Sequence, residues 1–107
     1  MKLVMAIIHD EDSHLLMKRL IEENVSVTKL SSTGGFLKSG NTTLIIGVEK
    51  EKVESVIQLI NKSCKSRREV ISSTPQIGGN SFVTLPMEVN VGGATVFILD
   101  VESHYKF

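Results

Sequence analysis

Leu3-Val4-Met5-Ala6-Ile7-Ile8 is an unbroken apolar run, and His9-Asp10-Glu11-Asp12 follows it at once. The run suits a buried strand. The acidic cluster behind it suits a helix start, with Asp10 or Asp12 as the cap. Leu16, Met17, Leu20 and Ile21 then recur at helical spacing, which predicts a helix ending near Asn24. Residues 25–30 read as a second strand, Val25 and Val27 alternating with Ser26 and Thr28. The same order returns further along. Residues 43–48 are strand-like, residues 49–51 mark a helix start, and Val53, Val56, Ile57 and Ile60 form one apolar helix face. Lys62, Lys65, Arg67 and Arg68 gather at or beyond the end of that helix, where its dipole favours cations. Residues 69–72 read as a fourth, shorter strand.

Strand, helix and strand repeated twice is the split arrangement of the ferredoxin-like α+β sandwich, βαββαβ. Two helices cover one face of its antiparallel sheet. Residues 25–30 and 44–48 cannot both be buried by two helices, so the open face is expected to lie between subunits of a homo-oligomer. Beyond Ser73, Thr74-Pro75-Gln76-Ile77-Gly78-Gly79-Asn80-Ser81 is turn-rich and long for a connection in so small a domain, which marks it as functional or mobile. Residues 83–91 alternate around Pro86, Gly92-Gly93 interrupts them, and residues 94–101 form an extra strand segment near the C-terminus. The tail Ser103-His104-Tyr105-Lys106-Phe107 carries two aromatics and is expected to dock on something.

A chain of 107 residues makes one domain. Twelve basic and twelve acidic residues cancel, so no net charge draws the chain to nucleic acid or to an anionic membrane. The single cysteine, Cys64, excludes an intrachain disulfide and fits a reducing compartment. The first apolar run is too short for a signal-peptide core or a membrane span, and no other stretch approaches about 18 apolar residues. A soluble cytoplasmic protein is expected.

Chemistry-bearing patterns are sparse. His9, His14 and His104 lack the i, i+4 spacing of a zinc site. Asp10, Glu11 and Asp12 stand where a helix N-terminus favours negative charge. Cys64 has no evident histidine partner and follows a helix rather than leading one, so it reads as a small apolar residue. No catalytic triad, metal site or cofactor site is expected, and the chain does not read as an enzyme. The richest loop is Thr33-Gly34-Gly35-Phe36-Leu37-Lys38-Ser39-Gly40-Asn41-Thr42-Thr43, with three glycines in seven positions beside an apolar pair. It suits a ligand or partner contact, or a long hairpin connection whose Phe36 packs on its own domain. Gly35 and Gly40 have P-loop spacing, but Asn41-Thr42 follow instead of the Lys-Ser or Lys-Thr pair that holds phosphate and magnesium.

Several stretches then lie in order at familiar distances: Thr28-Lys29-Leu30, Thr33-Gly34-Gly35-Phe36-Leu37, Gly40-Asn41-Thr42-Thr43, Gly78-Gly79-Asn80 and Met87-Glu88-Val89-Asn90-Val91-Gly92-Gly93-Ala94-Thr95-Val96-Phe97. With the opening at residues 2–12, they resemble the cyclic di-AMP receptor family of PII-like signalling proteins over essentially the whole chain. The resemblance implies a homotrimer of ferredoxin-like subunits, sheets facing inward, with a ligand cleft between each pair of neighbours. Residues 31–42 then correspond to a short T-loop and residues 66–88 to a longer B-loop. It implies that Asn24, Thr28, Gly35, Phe36, Leu37, Asn41 and Gly47 bind cyclic di-AMP. Phe36 would cover an adenine face, Leu37 would close the pocket beside it, and Asn41 would pair with an adenine edge. Asn24 and Thr28 would reach phosphate or the second base, and Gly35 and Gly47 would admit close backbone approach. Lys29 and Lys38 would supply charge or remain solvated. Three positions depart from the pattern. Ser26 stands where related sequences often carry arginine, Phe82 is the only aromatic left in a shortened B-loop, and Lys106 stands where glutamine is common. Two other readings remain open: a PII-like trimer for ATP or AMP, and a ferredoxin-like metal-binding or scaffold trimer. The downstream protein partner is unknown.

Overall fold

The computed structural model describes residues 1–30, 40–73, 76–77, 81–82 and 85–107. The expected hydrophobic run forms β1 (Lys2–His9), and α1 (Asp10–Glu22) starts without an intervening loop. β2 (Val27–Leu30) and β3 (Asn41–Val48) follow. A 3-10 turn at Lys50–Lys52 leads into α2 (Val53–Cys64). β4 (Arg67–Ser73), the two short strands β5 (Gln76–Ile77) and β6 (Ser81–Phe82), β7 (Leu85–Val91) and β8 (Ala94–Asp100) complete the order.

The main sheet runs β2-β3-β1-β8, all neighbours antiparallel. This is the ferredoxin-like α+β arrangement, with one relocation. The fourth strand of the sheet is β8, whereas the segment expected in that place lies within β4, which pairs with β7 in a separate two-stranded arm. β5 and β6 pair with each other inside that arm. Local alternation marks a strand but does not name its partner. The molecule measures 63 × 29 × 20 Å with a Cα radius of gyration of 18.0 Å. A compact chain of similar length has about 13 Å.

The core lies between the sheet and the two helices. Val4, Ala6 and Ile8 of β1 and Leu44, Ile46 and Val48 of β3 are buried there against Leu16 and Leu20 of α1 and Val56, Ile60 and Cys64 of α2. Met17 packs at the border, but Ile21 is 61 % exposed, so the buried stripe of α1 is narrower than its apolar spacing suggests. Arg19 Nη1 donates to Ser63 Oγ at 3.0 Å and ties the two helices together.

Both ends of α1 differ from expectation. Its N-cap is His9, with no side-chain cap bond, and the carboxylates of Asp10 and Asp12 are used for tertiary contacts instead. At the other end β2 begins at Val27, because residues 23–25 form a Schellman ending. Asn24 adopts φ 59°, its N–H reaches Ile21 O at 3.0 Å, and Val25 N–H reaches Leu20 O at 2.9 Å. Val25 is thereby turned into the core beside Leu20. Among the described residues the aromatic tail is not packed: Tyr105 and Phe107 are exposed and stack on each other, ring centroids 6.3 Å apart.

Candidate functional site

Side chains alternate along each strand, so register places them on one face or the other. Opposite the helices, Phe97, Met5, Ile45 and Thr28 lie in one row across β8, β1, β3 and β2. Leu99, Leu3 and Gly47 form the row on one side of it, and Thr95, Ile7, Thr43 and Leu30 the row on the other. Phe97 is 51 % exposed and Leu99 45 %. Thr43 is buried on this face, yet its hydroxyl has no hydrogen-bond partner among the described residues.

The expected ligand residues fall at two ends of this face. Asn41 opens β3 opposite His9, and both line a cavity of about 270 Å³ with Ile7, Gly92, Gly93, Ala94 and Thr95. Gly40, immediately before Asn41, adopts φ 93°, a conformation that favours glycine, and its carbonyl accepts the Asp10 N–H at 2.8 Å. Thr42, immediately after, donates its hydroxyl to Asp10 Oδ1. Towards the far end, Thr28 is level with Ile45, and Gly47 is exposed, a Cβ there lying 3.8 Å from Met1 Sδ. Six residues of extended strand separate Asn41 from Gly47, about 20 Å, and four separate Asn41 from the level of Thr28, about 13 Å. Asn24 lies at the C-terminal end of α1, exposed, its backbone committed to the helix ending. Gly35, Phe36 and Leu37 lie outside the described residues. So do residues 31–39 of the expected T-loop and parts of the expected B-loop. Within one chain, therefore, Asn41, Thr28 and Gly47 border the open sheet face without closing a pocket around it, and Asn24 lies apart from them at the end of α1.

A second cluster gave no signal in the sequence. Asp12 is 5 % exposed, and its Oδ1 accepts from Arg67 Nη2 at 3.1 Å at the base of the β4–β7 arm. Arg67 Nη1 also donates to Lys65 O at 3.3 Å, and the Gly93 N–H donates to Cys64 O. Gly92 packs into this junction at φ 81°; a Cβ there would lie 2.6 Å from Lys65 O. Asp12 and Arg67 are 55 positions apart, so no local pattern joins them. Burial, and next the Asp12 charge, push the Cys64 thiol up to about 11, against the opposing pull of Arg67 and Arg19. Cys64 is thus a protonated core thiol rather than a nucleophile. Among the described residues, no group of three or more His, Cys, Asp or Glu side chains is placed to hold a metal ion.

The sequence profile of the cyclic-di-AMP receptors matches residues 1–107, the full sequence. The chain belongs to the cyclic-di-AMP receptor family. That family is one of receptors, not of enzymes. The fold agrees with a crystal structure of a functionally unknown protein from Pediococcus pentosaceus ATCC 25745, which is 43 % identical. The superposition has a TM-score of 0.79 and covers 99 % of this chain and 96 % of the other. Among the described residues, no helix is long and apolar enough to cross a membrane.

Proposed function

We propose that this chain is a cytoplasmic receptor for cyclic di-AMP that works as a homotrimer, binding one ligand in each cleft between subunits. Membership of the receptor family over residues 1–107 is the observation that carries the reading. The open sheet face supports the assembly: a contiguous apolar surface on a small domain marks an interaction site, and further copies of the chain can cover it through heterologous contacts that close into a ring. A free, buried Cys64 suits a reducing compartment.

In this reading Asn41 offers an amide donor and acceptor to an adenine edge, while Phe36 and Leu37 of the adjoining loop enclose the ring. Thr28 and Asn24 serve the phosphate or the second base, and Gly35 and Gly47 leave their backbone accessible. The 13 Å between the levels of Asn41 and Thr28 suits an extended two-base ligand better than a single small anion. Because the described residues form a border rather than a pocket, a neighbouring subunit supplies the opposite wall. Ligand entry then rearranges the loops at residues 31–42 and 66–88 and alters the surface that an unknown downstream protein meets.

Isothermal titration with cyclic di-AMP, with ATP and cyclic di-GMP as controls, tests this. Saturable binding near one ligand per chain, absent with the controls and lost in Asn41→Ala and Phe36→Ala, is the expected result. Equal affinity of both variants and the parent removes the assigned pocket. Tight binding of ATP alone, where Ser26 supplies no arginine charge, transfers the function to another adenine nucleotide.

A further inference from the structure

We infer that Asp10 is a positioning residue for the ligand site, acting through Asn41. Asp10 makes two bonds to the strand that carries Asn41, one on each side of it. Its backbone N–H holds the carbonyl of Gly40 at 2.8 Å, and its carboxylate Oδ1 accepts the hydroxyl of Thr42. Thr42 is buried on the helix-facing side, so the residue before it faces the other way by strand alternation. Asn41 is accordingly presented to the cavity shared with His9, Gly92 and Gly93. The positive φ of Gly40 makes the chain turn into β3 immediately before the clamp. A glycine at that position admits other backbone conformations that would turn Asn41 elsewhere. The Asp10 bonds remove that freedom before ligand arrives, which is the cheapest way to raise affinity without adding a contact.

The inference rests on the receptor reading for its ligand but concerns a different residue and a different bond. Its competitor is a simpler role, in which Asp10 supplies negative charge to the first turn of α1. The two roles respond differently to substitution. Asp10→Asn keeps an acceptor for Thr42 and removes the charge, whereas Asp10→Ala removes both. Thr42→Ser keeps the hydroxyl, and Thr42→Val removes it.

The test measures cyclic di-AMP affinity of the full chain for these four variants and the Asp10→Ala/Thr42→Val double variant. The backbone and side-chain amide resonances of Asn41, and the exchange protection of its N–H, are followed without ligand. Positioning predicts a loss of about ten-fold in Asp10→Ala and in Thr42→Val, the scale of one charge-assisted hydrogen bond. The double variant should be no worse than either single, and Asp10→Asn and Thr42→Ser should stay near the parent. Asn41 resonances should shift and lose protection only in the Ala and Val variants. Parent-like affinity and Asn41 spectra in Asp10→Ala overturn the inference while leaving the receptor reading intact. So does an equal loss in Asp10→Asn and Asp10→Ala, which identifies the helix charge as the cause. Absence of ligand binding by the parent removes the receptor reading alone, because the Asn41 spectra still report whether the clamp orders the strand.

Discussion

The two faces of the main sheet are built from the same strands, yet only one is finished within the chain. On β1, Val4, Ala6 and Ile8 are buried, while Leu3, Met5 and Ile7 between them are only half covered. On β3, Ile46 is fully buried and its neighbour Gly47 is exposed. The apolar character of alternate residues is similar, so sequence chemistry is not what separates the faces. The difference is supply: two helices cover one side of a four-stranded sheet, and among the described residues no helix packs on the other. Of the expected ligand residues, Asn41, Thr28 and Gly47 lie on the uncovered side. In the proposed reading, assembly and ligand binding are properties of the open face, and stability is mainly a property of the covered one.

Placing a charge on the open face tests that division most severely. Phe97→Asp should retain the native far-UV circular dichroism spectrum but weaken subunit association by about 3–5 kcal/mol, the cost of an uncompensated buried charge. Sedimentation at several concentrations would read this, and an unchanged assembly would end the comparison.

Next in size is the same truncation on adjacent residues of β3. Ile46→Ala should lower unfolding free energy by about 2–5 kcal/mol at every protein concentration. Ile45→Ala should act through association, so that its loss diminishes as concentration rises. If the two denaturation profiles depend on concentration alike, the faces are not distinct.

Smaller effects come from the elements that hold the helices over the covered face. Asn24→Ala should cost about 1–2 kcal/mol, because an ordinary side chain is strained at φ 59°, while Asn24→Gly should be neutral or slightly stabilising. Chemical denaturation of both variants separates this backbone role from ligand contact.

The smallest effect concerns the thiol at the edge of the core. The pKa of Cys64 is raised by burial from an ordinary 9.0 to about 11. A raised folded value means that the neutral thiol contributes stability below about pH 9 and that this contribution fades as pH climbs towards 11. The parent should lose stability across that window, measured by urea denaturation, and Cys64→Ala should lose less.

Most of the fold was legible because its signals are periodic and local. The apolar run at residues 3–8, the helical spacing of Val56 and Ile60, and the alternation in β3 each specify an element by themselves. The assignment of the fourth sheet strand was not legible. Residues 69–72 and 94–101 both read as strands, and only tertiary pairing selects β8 for the sheet and sends β4 to the arm. The acidic start of α1 shows the same limit. Asp10 and Asp12 look like cap residues from composition, but their partners are Thr42 and Arg67, 32 and 55 positions away. For the site, Asn41 and the residues around it were reached through a family resemblance rather than through spacing. Strand register then showed that Asn41, Thr28 and Gly47 border the same open face.

The central claim is that this face assembles and that assembly completes the ligand site. Native mass spectrometry of the full chain, titrated with cyclic di-AMP, measures both together. The account predicts a species of three 11.8 kDa chains that takes up as many as three ligands, with no uptake by single chains. A monomer that binds the ligand, or a trimer that takes up none, would contradict the link between the open face and the site.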